Sequence, residues 1–135
     1  MGMYTEIIFG ASLKINTPKS VIDTIKYLIS DEITDADMDS KIMQHPFFCS
    51  DRNWLLRSAG SYYFPGVVEP KFNFDDNSKQ WYLHFRTNIK NYDNEIEKFL
   101  DWIRPYIDQG VGTRNFYTVV TYEEQSNPTI YYLND

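Results

Sequence analysis

The stretch from Lys79 to Asp108 joins a strand pattern directly to a helix pattern, and it constrains the fold more than any other part of the chain. In its first half, apolar and polar residues alternate: Trp81, Leu83, Phe85 and Thr87 against Tyr82, His84, Arg86 and Asn88. Side chains alternate across a pleated strand, so this pattern predicts a sheet with one face on a core. The other face is either solvated or functional.

The second half of this stretch predicts an amphipathic helix. Its apolar residues recur at steps of three and four, and they are Ile96, Phe99, Leu100, Ile103 and Ile107. Asn91 or Asp93 is the expected N-cap. Glu95 and Glu97 place negative charge in the first turn, where the helix dipole favours it. Because proline lacks a backbone donor, we expect the helix to end or kink just before Pro105.

The N-terminal region predicts another strand and helix. Residues 3–14 alternate in the manner of a strand, in which Gly10 is a candidate bulge. Thr17 followed by Pro18 is a typical helix start. The apolar stripe of the helix that follows consists of Val21, Ile22, Ile25, Leu28 and Ile29.

The remaining strand signals are short and separated by turn residues. Asp75 to Ser78 predicts a reversal that pairs residues 72–74 with residues 81–85 as an antiparallel hairpin. Residues 31–39 are acidic and predict a solvated connection or a short surface helix. Residues 45–60 predict either a short helix or irregular structure packed on the core. The other predicted strand segments are residues 61–64, 67–74, 115–123 and 129–133.

The order of these elements predicts an α+β fold. We expect an antiparallel sheet with two helices packed on one face, in a ferredoxin-like arrangement with an added C-terminal hairpin. Residues 1–135 are predicted to form a single domain, since this length is typical of one core.

Composition and charge exclude several classes of protein. Cys49 is the single cysteine, which excludes an internal disulfide and favours the reducing cytosol. Neither an export signal nor a membrane span is apparent, and the predicted location is the cytoplasm. A net charge of −6 argues against nucleic acid as a partner. The aromatic fraction of 17% predicts rings on the surface, where they favour protein contacts.

No catalytic or metal-binding motif is complete. The series Asp35, Asp37 and Asp39 begins like a calcium loop, but Ser40 and Pro46 occupy the positions of its glycine and glutamate. His45 and Cys49 have a spacing that suits zinc on a helix, yet a site needs further ligands. We therefore predict no metal, no cofactor and no catalytic residue. An enzyme that uses Cys49 or a histidine is the third-ranked hypothesis.

The polar side of the strand in residues 79–89 is the candidate ligand site. It combines Tyr82, His84, Arg86 and Asn88, which suit stacking, proton exchange and anion binding. Trp81 and Tyr63 are candidate neighbouring rings. A small nucleotide-like ligand is the corresponding hypothesis, and an ordinary solvated sheet face is the alternative.

Two segments resemble a known family. YTEIIFGASLKINTP with VIDTIKYLI, and NIKNYDNEIEKFLDWIRPYI, are similar to a family of small uncharacterised proteins from prophages and Gram-positive bacteria. The resemblance covers about half of the chain. It implies a bacterial or phage cytosol and no particular activity.

The leading hypothesis is a cytosolic binding protein, such as a phage or mobile-element accessory protein that engages a host protein. Self-association is also predicted, because the C-terminal strand is uncharged and aromatic and would form an unprotected sheet edge. The alternative is that Tyr131 and Tyr132 fold back over the sheet of their own chain. The residues expected to form this homo-oligomer contact are Thr129, Ile130, Tyr131, Tyr132 and Leu133.

Overall fold

The computed structural model describes residues 3–30, 41–49, 53–57, 60–108 and 116–133. Its strands are β1 (Thr5–Ser12), β2 (Val68–Asp75), β3 (Gln80–Ile89), β4 (Phe116–Tyr122) and β5 (Thr129–Tyr132). Its α-helices are α1 (Lys19–Ser30) and α2 (Glu95–Ile103). Short 3₁₀ helices span Ile42–Gln44, Pro46–Cys49, Asn53–Leu56 and Arg104–Tyr106. The described part of residues 45–60 thus contains two short 3₁₀ helices.

The strands form one antiparallel sheet in the order β2-β3-β1-β4-β5. The central strand, β1, pairs with β3 on one side and with β4 on the other. The predicted hairpin is present, since Phe72 pairs with Leu83 and Phe74 pairs with Trp81. The predicted α+β class, with an antiparallel sheet and two helices, is confirmed.

Aromatic rings form the centre of the core between the sheet and the helices. Phe9 of β1 and Phe85 of β3 are register partners, and their ring centroids lie 5.3 Å apart. Phe99 of α2 meets these two rings edge-on at 5.6 and 5.8 Å. The residues that α1 adds to the same cluster are Val21, Ile25 and Leu28. Burial of this apolar surface holds both helices on one face of the sheet.

Gly10 does not mark a bulge. The register of β1 with β3 runs without interruption from Thr5 opposite Ile89 to Ser12 opposite Tyr82. A shift occurs instead between β4 and β5, at residues 116–118. There Tyr117 is buried with its ring 6.1 Å from that of Phe9, and its neighbour Thr118 is buried too, so the two do not alternate between core and solvent.

The segment from Ser61 to Phe64 is a turn and not the predicted strand. The amide of Ser61 donates to the carbonyl of Phe64, at 3.2 Å. The amide of Phe64 donates to the Ser61 hydroxyl, also at 3.2 Å. Both hydrogen bonds are local, so the turn closes without pairing to a neighbouring strand.

The second helix starts later than its cap signals suggest. Asn94, in a left-handed conformation with φ of 56°, occupies the N-cap position, so neither Asn91 nor Asp93 is the N-cap. Asn91 still serves the first turn, because its Oδ1 accepts a hydrogen bond from the amide of Ile96 at 2.9 Å. At the other end, α2 stops at Ile103 and a 3₁₀ turn containing Pro105 follows, as predicted.

The acidic segment 31–39, including the incomplete calcium-like series, lies outside the described residues. Within the described ranges, no helix is long and apolar enough to cross a membrane.

Candidate functional site

One face of the sheet points away from both helices, and we call it the helix-free face. Tyr82, His84, Arg86 and Asn88 lie on it because they alternate along β3 with the core residues. The strand register places the following neighbours on the same face: Glu6, Ile8, Gly10 and Ser12 of β1, Lys71 and Asn73 of β2, Val119 and Thr121 of β4, and Ile130 of β5. The predicted polar set is thus brought together on one surface.

The end of this face around Tyr82 and His84 is polar and open to solvent. The two rings are parallel to within 9°, with centroids 6.4 Å apart. In register, His84 is opposite Lys71 of β2, whose cationic side chain is exposed. The Ser78 hydroxyl lies 3.4 Å from the Tyr82 hydroxyl, which anchors that ring at the β2–β3 turn. Two planar rings beside a cation suit a planar anionic molecule.

The turn beside Tyr82 is tightened by a carboxylate. The Asp75 carboxylate accepts a hydrogen bond from the Ser78 hydroxyl at 2.9 Å and another from the backbone amide of Asn77 at 3.3 Å. These hydrogen bonds hold the pKa of Asp75 below its usual value, and the bond from the Ser78 side chain contributes most.

Gly10 lies under the ring of His84. A Cβ atom built on Gly10 would be 2.9 Å from Nδ1 of His84, which is closer than atoms in contact can approach. The absence of a side chain therefore lets the imidazole lie across β1. This close approach explains a glycine within a paired strand.

Arg86 is fixed by an acid from the neighbouring strand. Its Nε donates to Oε2 of Glu6 at 2.9 Å, and its Nη2 donates to Oε1 at 3.4 Å. Glu6 is only 5% exposed, whereas the Arg86 side chain remains 41% exposed. The pair is a two-point, charge-assisted contact that holds the guanidinium against the sheet.

The segment of residues 60–67 covers the other end of the helix-free face. The side-chain amide of Asn88 donates to the carbonyl of Phe64 at 2.9 Å. Gly66 lies against Arg86, since a Cβ there would be 3.5 Å from Cζ of the guanidinium. The polar face is therefore covered near Asn88 and open near His84.

The two predicted neighbouring rings have different placements. Trp81 is on the opposite face of β3, where its ring stacks on Phe72 at 4.6 Å and lies under the Lys26 ammonium at 4.8 Å. Tyr63 is exposed on the covering segment, with its ring 5.7 Å from that of Phe64. Trp81 thus does not share a surface with Tyr82 and His84.

An apolar row crosses the same face toward the sheet edge. Ile8 of β1 is opposite Val119 of β4, and Val119 is opposite Ile130 of β5. Ile8 is 40% exposed and Ile130 is 45% exposed. Sequence reasoning missed this apolar row because the order of the strands, which makes these residues neighbours, is not visible in any single segment.

His45 has a structural role. Its Nδ1 accepts a hydrogen bond from the amide of Phe47 at 3.1 Å, which places the proton of the neutral ring on Nε2. Nε2 lies 2.9 Å from Oδ2 of Asp101 in α2. Both ring nitrogens are therefore engaged in tying the 3₁₀ segment to α2.

A cleft of about 410 Å³ opens beside His45. Its other lining residues include Ser20 of α1, Trp102 of α2 and Tyr106, so it lies in the helix layer and not on the helix-free face. Cys49 is exposed. Among the described residues, no three His, Cys, Asp or Glu side chains are grouped so as to hold a metal ion.

Replacing Gly10 by alanine tests the close approach to His84. We expect the free energy of unfolding to change by less than about 1 kcal/mol, because displacement of the exposed imidazole offsets the gain of alanine over glycine in a strand. In a background with His84→Ala, the same replacement should stabilise the fold, since no ring has to move. Urea unfolding of the two single variants and the double variant measures this coupling. Additive effects would show that the ring does not constrain position 10.

Comparison with known proteins gives no match: no protein-family model, no curated protein and no solved structure matches the chain.

Proposed function

We propose that the protein is a noncatalytic binding protein of the cytosol, and that it holds a partner protein on the helix-free face of its sheet. The observation that carries the proposal is a row beside the polar cluster in which Ile8 and Ile130 are exposed and Val119 between them is half-buried. Exposed apolar surface rimmed by polar groups is typical of protein interaction sites.

The charges on this face define the chemistry of the partner. The chain has a net charge of −6, yet Lys71, His84 and Arg86 lie close together on the helix-free face. Glu6 and Arg86 are bound to each other, so their charges offset, and Lys71 beside His84 supplies the positive charge that remains on this face. A segment that presents apolar side chains beside acidic ones would therefore match this surface.

The setting of the proposal is a bacterial or phage cytosol, with a host protein as the partner. The support for this setting is the resemblance of the two quoted segments to small proteins of prophages and Gram-positive bacteria. The single cysteine is consistent with a reducing compartment.

A photo-crosslinking residue at position 8 tests the proposal, with position 15 as the matched control. Ile15 is an exposed isoleucine outside the sheet, in the turn before α1. In lysate of a Gram-positive bacterium we expect a specific adduct from position 8 and none from position 15. The identified protein, once purified, should bind Ile8→Lys at least tenfold more weakly than wild type and bind Ile15→Lys unchanged. Equal binding to both variants, or no adduct specific to position 8, would overturn the proposal.

A second candidate function is the binding of a small planar anion, such as a nucleotide. The parallel rings of Tyr82 and His84, with Lys71 opposite His84, favour it. A ligand at a hundred times its dissociation constant adds about 2.7 kcal/mol to the free energy of unfolding. Thermal-shift measurements with nucleoside monophosphates, nucleosides and phosphate separate ring binding from charge binding. A shift that persists in a Tyr82→Leu, His84→Ala variant would contradict this site.

We also propose that the arrangement is ferredoxin-like with an added hairpin. The support is the strand order β2-β3-β1-β4, in which the connection through α1 passes over β3 and the connection through α2 passes over β1. β5 extends this order outside β4. A crystal structure with a different strand order would contradict the assignment.

A further inference from the structure

The two edges of the sheet differ in how they resist pairing with another strand. The β2 edge contains Pro70 between Glu69 and Lys71, and its register with β3 shifts between Val68 and Lys71. Proline, charge and bulges are the features that block strand addition. The β5 edge, Thr129–Tyr132, has no charged residue and no proline within it. Among the described strands, β5 is therefore the edge whose own sequence lacks these blocking features.

The geometry of β5 makes it complementary to itself. In an antiparallel pair around a two-fold axis perpendicular to the sheet, directly opposite residues lie on the same face. Two registers satisfy this condition. In one, Ile130 lies opposite Ile130 and Tyr131 lies opposite Thr129. In the other, Ile130 lies opposite Tyr132 and Tyr131 lies opposite Tyr131. Either register joins uncharged side chains, and rings or β-branched residues are favourable cross-strand partners.

We propose that two copies of the chain pair antiparallel through β5 and join their two sheets into one. Another copy fits this edge because the contact is isologous and places no like charges together, although each chain has a net charge of −6. Each β5 strand is also held in place by contacts within its own chain before pairing. Tyr131 and Leu133 pack on the core, and the guanidinium of Arg104 donates to the carbonyls of Tyr132 at 3.4 Å and Leu133 at 2.9 Å.

Pairing at β5 has a consequence for the helix-free face. The row of Ile8, Val119 and Ile130 ends at β5 in one chain, and in the pair it continues into the same row of the second chain. The pair thus presents one apolar strip across two copies. This consequence rests on the proposed function, whereas the pairing itself does not.

Sedimentation equilibrium on wild type, Ile130→Lys and Ile8→Lys tests the pairing. Ile130 and Ile8 are similarly exposed on the same face, but only Ile130 is on the edge strand. Substitution is preferable to truncation, since loss of Tyr131 would also remove its ring contact with Tyr117 at 6.4 Å. Circular dichroism and the thermal midpoint establish that both variants fold.

From micromolar to submillimolar concentration, we expect the wild-type mass to rise from one chain to two. Ile130→Lys should remain at the mass of one chain, because the pairing would place a lysine ammonium against the other copy's edge. Ile8→Lys should behave as wild type. A wild-type protein that stays monomeric, an Ile130→Lys variant that still dimerises, or an Ile8→Lys variant that loses the dimer would each overturn the pairing. Loss of partner binding in Ile8→Lys with the dimer intact concerns only the proposed function, so the two proposals fail separately.

Discussion

Replacing Phe99 by alanine should lower the free energy of unfolding by about 3 to 5 kcal/mol. Phe99 is fully buried, and its ring contacts those of Phe9, Phe47 and Phe85 at 5.6, 5.4 and 5.8 Å. It therefore joins β1, β3 and the 3₁₀ segment to α2. Its loss removes the apolar contacts and leaves a cavity that the surrounding rings cannot fill without leaving their packed positions. Guanidinium unfolding followed by circular dichroism measures the change.

Phe74→Ala is the matched control for this prediction. Phe74 is 44% exposed at the β2 edge and has its ring contact with Trp81, at 5.6 Å. Its replacement should cost about 1 kcal/mol, since much of the side chain remains in water in the folded protein. Similar losses in the two variants would mean that Phe99 is not central to the core. A domain of this size has a total stability of about 5 to 15 kcal/mol, so the loss in Phe99→Ala is a large part of it.

Replacing Arg86 by methionine should lower the free energy of unfolding by about 2 to 3 kcal/mol. The variant leaves the Glu6 carboxylate buried in the sheet without the guanidinium that contacts both of its oxygens. The expected loss is smaller than for a fully buried pair, because the Arg86 side chain is 41% exposed and solvent screens its charge. Urea unfolding at neutral pH gives the value.

Two controls separate the cost of leaving the buried Glu6 carboxylate unpaired from the cost of losing any salt bridge. The double variant Glu6→Leu, Arg86→Met removes both charges and should recover most of the stability, since no buried charge remains. Lys98→Met breaks the more exposed Lys98–Asp93 pair, at 3.2 Å, and should cost about 0.5 kcal/mol or less. If the double variant were as unstable as Arg86→Met, the cost would come from lost packing of the arginine and not from the isolated acid.

Local patterns in the sequence predicted most of the elements. The alternation in β3, the apolar stripes of α1 and α2 and the helix end before Pro105 all depend on residues a few positions apart. A single segment therefore contains the pattern that predicts each element. The same holds for the placement of Tyr82, His84, Arg86 and Asn88 on one face. The Ser61–Phe64 segment has strand-like composition but forms a turn that its own hydrogen bonds close, and Asn88 of β3 holds its Phe64 carbonyl.

The candidate surface itself depends on which strands become neighbours. Alternation in β1 places Glu6, Ile8 and Gly10 on one side of that strand. The pairing of β1 with β3 brings Glu6 to Arg86 and Gly10 under His84. The pairing of β1 with β4 brings Ile8 beside Val119. These contacts join residues that are far apart in the chain, and strand order is set by burial of the shared aromatic core. The sequence by itself therefore determined which side chains share a face of each strand. The tertiary structure decided which faces adjoin, because register and strand order are properties of the whole sheet.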